Sequence, residues 1–249
     1  MPTASQDNSK PGNKKGQNPL EISMLANHEL RILQNNLHKS QTQTHSILSH
    51  PDTKPYAIVL LQEQYWSSYM KTSPTHHSWT LYEPTTNKEK PRSSIYINNN
   101  LISVAQTTQI QLLLDDVTAI EIATKDPQPT LIVNVYKPCD KNTIPELYEH
   151  LQKMVTIRKY TTIIIAGDFN SHHPYWNPSE YTRHDEEADT LMEMITELEL
   201  DLLIPAGTVT YPKAGTAIDL VWGNDEAKNR TIKCQIAEKN DHAFQITSQ

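Results

Sequence analysis

Residues 161–173 read TTIIIAGDFNSHH, a β-branched apolar run that stops abruptly on Gly-Asp-Phe-Asn. The stretch from Thr161 to Ala166 suits a buried strand, and the glycine and polar residues after it end that strand. Side chains alternate along a strand, so Asp168 and Asn170, two apart, are expected on the same side. A carboxylate and an amide then stand together at the rim of a sheet, where they can orient a water or hold a phosphate oxygen. The competing reading is an Asp/Asn turn that merely terminates the strand. The rest of the chain decides between the two.

A rhythm of strands and helices surrounds this segment. Apolar runs predict strands at 30–36, 56–61, 79–82, 94–97, 110–114, 119–123, 131–136, 217–222 and 231–237, with a last one near 244–246. A helix is expected over 40–50, with Thr44, Ile47 and Leu48 on one side. Thr143-Ile144-Pro145-Glu146 has the pattern of a capping box and opens a helix with Ile144, Leu147, Tyr148, Leu151 and Met154 on one face. Ala188, Leu191, Met192, Ile195 and Leu198 repeat at helical spacing in another. Residues 1–26 are polar and predict a disordered leader, leaving 27–249 as one domain. Many strands, few helices and mixed connections suggest an α+β protein with two sheets packed face to face and helices outside.

Composition removes several classes. No run approaches the ~18 apolar residues of a membrane span, and no apolar secretory segment opens the chain. Cys139 and Cys234 give neither a disulfide framework nor zinc spacing, which fits free thiols in a reducing compartment. A net charge of -7 argues against holding nucleic acid by bulk electrostatics. A nuclease that grips DNA through a local patch is unaffected by that argument.

Polar residues recur at strand ends. LRILQNN ends at Asn36, AIVLLQE at Glu63, LIVNVY at Tyr136 and TIIIAGDFN at Asp168 and Asn170. Asp219 sits inside the apolar run AIDLVW, and Asp241-His242 stands near the C-terminus. A carboxylate in or at the end of a buried strand is costly unless it is paired or binds a metal. Glu63, Asp168, Asp219 and Asp241, with Asn36, Asn170 and His242, are too many for isolated satisfied core groups. Hard oxygen ligands without a cysteine cluster point to Mg²⁺ or Mn²⁺. A carboxylate beside such an ion can activate water, and an aspartate can hold a histidine in position. Those tools perform phosphodiester hydrolysis.

The ordered set QNN, LQE, VY-K-P, GDFN, AIDLVWG and a terminal DH resembles the endonuclease/exonuclease/phosphatase superfamily over residues 30–247. Within it, GDFNSHHPYWNP, the stretch from RHDEEADTL to GTVTYP, and AIDLVWGN are most similar to the endonuclease domain of non-LTR retrotransposons, especially fungal ones. The resemblance implies a DNase-like four-layer α/β/β/α sandwich of mostly antiparallel sheets. It makes Glu63 the main metal ligand, helped by Asn36 and Asp241. Asp168 orients or deprotonates the attacking water, Asn170 positions the phosphate and Tyr136 lines its site. His242, held by Asp219, contacts the scissile phosphate. The implied activity is a Mg²⁺-dependent endonuclease that nicks DNA in the nucleus to prime a reverse transcriptase, although no clear import signal is present.

Two alternatives stay open. The same residues serve phosphatases of small phosphorylated molecules. Asn240 replaces the serine that usually precedes the terminal Asp-His pair, so Asp241-His242 also fits an extra upstream pair, and the chain is then an inactive DNA-binding remnant. No polymerase sequence follows, so the expectation is an excised domain, a truncated element or a domesticated reading frame. His172-His173 are expected to shape the groove and His184-Asp185 to start a helix.

Overall fold

The computed structural model describes residues 17–25, 29–86 and 90–237. In chain order the elements are β1 (Leu20–Leu25), β2 (Glu29–Asn36), α1 (Gln41–Ser49), β3 (Ile58–Gln62), β4 (Trp79–Tyr82), β5 (Ser93–Asn98), β6 (Thr107–Ile110), β7 (Val117–Ile122) and β8 (Thr130–Tyr136). They continue with α2 (Ile144–Ile157), β9 (Thr162–Asp168), α3 (Glu187–Glu197), β10 (Asp201–Leu202), β11 (Asp219–Gly223), α4 (Asp225–Arg230) and β12 (Thr231–Ile236). One sheet has the order β12-β1-β2-β3-β5-β4 and the other β10-β11-β9-β8-β7-β6.

Strand alternation builds the layers. Ile58 and Leu60 of β3 and Ile95 and Ile97 of β5 face inward, meeting Ile120, Ile132, Ile164 and Val221 of the opposite sheet. Their neighbours Val59, Leu61 and Tyr96 face outward onto Ile47 and Leu48 of α1. On the other side Leu131, Val133, Val135 and Ile165 pack beneath Ile144, Leu147 and Leu151 of α2 and Leu191 and Ile195 of α3. The result is the expected four-layer α/β/β/α sandwich.

Most strand pairs are antiparallel, but β2–β3 and β8–β9 are parallel. Each parallel pair is joined by a helical crossover, α1 or α2, as parallel strands require. Their carboxyl ends therefore lie at one edge of each sheet. The β8–β9 pair approaches closely at Gly167, which has φ +148° and lies opposite Val135. A Cβ there would fall 1.9 Å from the Val135 carbonyl oxygen, so only glycine fits. Gly167→Ala is expected to destabilise the fold by several kcal/mol through backbone displacement. A thermal melt checks this, and a midpoint within about 2 °C of wild type would refute it.

Three expectations need correction. The leader does not extend to residue 26, because Leu20, Ile22 and Met24 alternate inward as β1 while Glu21 pairs with Arg31 at 2.5 Å. The strand expected at 110–114 ends at Ile110, since Leu113 turns to φ +56° and points into solvent. The capping box does not form: Thr143 makes no side-chain cap, and Asn142 Oδ1 accepts the Ile144 N–H at 3.1 Å instead. The strand expected near 244–246 lies outside the described residues.

Candidate active site

The parallel strands end in Asn36, Gln62, Tyr136 and Asp168, and these ends converge from the two facing sheets. Cross-strand register sets Asp168 beside Tyr136 on one side and Asp219 on the other. The apolar interior turns polar here.

Asp168 is the centre of this region. Its Oδ2 accepts hydrogen bonds from Gln17 Nε2 at 2.9 Å and Asn36 Nδ2 at 2.7 Å, and its Oδ1 accepts the Asn170 N–H at 3.0 Å. Burial pushes its carboxyl above the usual range, a push that the three donors oppose and the Glu63 charge reinforces. Asn170 adopts φ +43° just past the strand, so alternation no longer governs it. Its Nδ2 donates to the Lys137 carbonyl at 2.8 Å, while the buried Lys137 ammonium meets Glu187 of α3 at 2.5 Å. Strand termination and site building thus use the same two residues.

Glu63 follows β3 with φ +46°, an unfavourable conformation for a side-chain-bearing residue. Its N–H donates to the Arg92 carbonyl at 2.9 Å and its carbonyl accepts the Lys39 N–H at 2.7 Å, which hold it there. Burial alone would raise the carboxyl, but His38 at 3.6 Å and Lys39 at 3.3 Å outweigh it and bring the pKa down to about 2. The group is therefore ionised at neutral pH.

Asp219 lies deeper. Its Oδ1 accepts from Gln34 Nε2 at 3.0 Å. Burial first, then the neighbouring Asp168 charge, raise its carboxyl well above the usual range. Gln34 also donates to Gln62 Oε1 at 2.6 Å, Gln62 donates to Asn134 Oδ1, and Asn134 Nδ2 reaches the carbonyls of Leu61 and Ser94. This buried amide chain runs between the sheets and ends on the carboxylate. Tyr136 stands under the Arg92 guanidinium, 4.9 Å from its ring centroid, with Arg92 clamped by both oxygens of Asp116. Burial, then Glu63 and Asp168, push the Tyr136 phenol up, keeping it protonated and able to donate.

The structure brings Asn36, Glu63, Tyr136, Asp168 and Asp219 into one cluster, with Asn170 at its edge. Asp241 and His242 lie outside the described residues. Gln17, Gln34, Gln62, Asn134 and Lys137 were not among the candidate residues. Two signals were available: the glutamines within QNN and LQE, and Asn134 inside the apolar run LIVNVY.

The donor set suits a hard divalent cation, being carboxylate and amide oxygen without thiol. Glu63 is ionised and faces His38 and Lys39 side chains that are 46% and 68% exposed, so a cation can displace them. Asn36 has Oδ1 engaged by the His38 N–H at 2.9 Å and keeps a second lone pair on that atom.

Residues 130–246 match a family described as endonuclease-reverse transcriptase. Among solved structures, the fold is similar to the endonuclease domain of TRAS1, a telomere-specific non-LTR retrotransposon, with TM-score 0.62, 20% identity, and coverage of 79% of this chain and 86% of that one. The Xenopus laevis APE2 catalytic domain gives TM-score 0.53 at 14% identity, over 80% of this chain and 83% of that one. A mannosyl-6-phosphatase of Bacteroides thetaiotaomicron gives 0.51 at 11% identity, over 79% and 85%. Among curated protein sequences none matches the chain. The family match over residues 130–246 and the shared fold make this chain similar to the endonuclease/exonuclease/phosphatase superfamily.

Proposed function

We propose that this chain is a Mg²⁺- or Mn²⁺-dependent phosphodiesterase that nicks DNA, acting in the nucleus as the target-priming endonuclease of a retrotransposon-type element alongside a reverse transcriptase. The observation that carries the reading is the meeting of Glu63, Asp168 and Asp219 with Asn36 and Tyr136 at the ends of the parallel strands. Glu63, Asn36 and Asp241 would hold the ion, whose chemistry is charge neutralisation at the scissile phosphate. Asp168, fixed by three donors, accepts a proton from the attacking water and aligns it. Asn170 and the protonated Tyr136 hold phosphate oxygens, and Asp219 orients the His242 imidazole toward the charge that develops there.

Incubation of supercoiled plasmid with the full chain and Mg²⁺ is the test, with polymerase extension to detect a 3′ hydroxyl at the nick. Chelation should abolish nicking, and Asp168→Ala and His242→Ala should each lower it by about 10²-fold or more. Phosphate release from sugar phosphates without nicking would replace this function with a phosphatase. DNA binding without cleavage by the unaltered chain would make it an inactive remnant.

A further inference from the structure

The segment between β9 and α3 carries a second cluster of metal-ligating side chains. His173, His184 and Asp189 each offer one ligand atom, and these atoms all lie within 4.8 Å of one another. Their neighbours explain why they meet. The His172 N–H and Nδ1 both reach Asp185 Oδ2, at 2.9 and 2.8 Å, while the Asp185 N–H donates to the His172 carbonyl at 2.9 Å. These bonds clamp the two arms of the segment side by side and bring the adjacent His173 and His184 together, ring centroids 4.9 Å apart and edge to face. The buried Trp176 packs on His173 from behind at 5.2 Å. Asp189, in the first turn of α3, completes the triangle with Oδ1 2.8 Å from His184 Nε2.

We infer that His173, His184 and Asp189 form a second metal site, selective for zinc-like transition ions and separate from the oxygen-lined centre around Glu63. Two imidazoles and one carboxylate suit Zn²⁺, whose three-ligand sites leave a fourth position for water. Mg²⁺ demands oxygen ligands and would not compete. The ion takes the place of the proton between His184 and Asp189. His173 Nδ1 accepts the Tyr175 N–H at 3.0 Å, so ligation claims that lone pair directly or moves the ring proton onto Nδ1. Either route releases the Tyr175 amide, which holds the affinity to the micromolar range rather than the far tighter range of closed structural sites.

Such an ion would staple the segment following Asn170 to α3. The same helix carries Glu187, the partner of Lys137, whose carbonyl receives the Asn170 side chain. The inference does not depend on the nuclease reading, since binding is measurable without turnover.

The test is calorimetric titration of the chelator-treated full chain with Zn²⁺ in the presence of millimolar Mg²⁺. One equivalent should bind with micromolar affinity, raise the thermal midpoint and shift the Tyr175 amide resonance. His184→Ala and Asp189→Ala should each weaken binding about tenfold or more and erase both signals. His150→Ala, on the exposed face of α2, should change none of them. Absence of stoichiometric binding would overturn the inference, and so would undiminished affinity in His184→Ala, which would put the ion on other histidines. Both variants replace exposed side chains, so misfolding does not confuse the outcome.

Discussion

Glu63→Gln is expected to lower the rate of plasmid nicking by about 10³-fold or more, equivalent to about 4 kcal/mol of lost transition-state stabilisation, while leaving the fold intact. The substitution keeps the size of the side chain and the two backbone hydrogen bonds that hold the left-handed turn, to Arg92 and Lys39. Only the charge goes, and with it the proposed anchor for a divalent ion. Stability at neutral pH should change by less than about 1 kcal/mol, because His38 and Lys39 are largely solvated partners. The pH profile gives an independent signature. The folded Glu63 carboxyl titrates at about 2 rather than 4.5, so its contribution is present above 4.5 and is lost as pH falls from there toward 2. Urea midpoints measured from pH 7 to pH 3 should therefore fall more for wild type than for the variant. Nicking within tenfold of wild type would remove Glu63 from the site.

How far the site could be read from the chain depended on whether each residue broke a local pattern. Asp168, Asp219 and Glu63 were visible because a carboxylate beside or within an apolar run contradicts its neighbours. Gln34 and Gln62 are not, since an uncharged amide near a strand end looks like ordinary punctuation until its cross-sheet partner is known, and Asn134 interrupts its apolar run without naming the partner it meets. Their chain of hydrogen bonds joins β2, β3 and β8, and no spacing within one strand encodes it. Gln17 was hidden differently. It lies in a polar stretch that resembles disordered sequence, yet it donates to Asp168 across 151 positions of sequence. The leader reads as disordered for the same reason, since the polar residues before it outweigh one short alternation, Leu20-Ile22-Met24. The left-handed backbone at Glu63 and Asn170 is equally silent in sequence, because neither is glycine. Layer order was easier, since long apolar runs separated by amphipathic helices admit few arrangements.

Asp219→Asn should make the protein more stable and less active. In the wild type this carboxylate is wholly buried, its Oδ1 is held by Gln34, and its Oδ2 makes no hydrogen bond among the described residues, although Thr210 and Gln17 lie near enough to favour the ionised form. Asp168 faces it across the β9–β11 pair, so two acids compete for one low-dielectric space. An amide keeps the Gln34 bond, removes the repulsion and needs no buried charge. The expected gain is about 1–2 kcal/mol at pH 7.5, or roughly 2–8 °C in thermal midpoint for a chain of this size. The sign of the pH dependence follows from the raised carboxyl. Its folded form binds a proton more tightly than the unfolded form, so wild-type stability is greatest below the usual range near 3.8 and declines as pH rises toward the raised folded value. The gap between variant and wild type should accordingly vanish in acid and widen with pH. With Asp219 in its proposed role as the partner of His242, nicking should fall by about 10²-fold or more, because an amide cannot stabilise an imidazolium as an ionised carboxylate does. A variant less stable than wild type at pH 7.5 would mean that a cationic group compensates the Asp219 charge in the folded chain, and Asp219 would then be half of an ordinary ion pair rather than one of two competing acids.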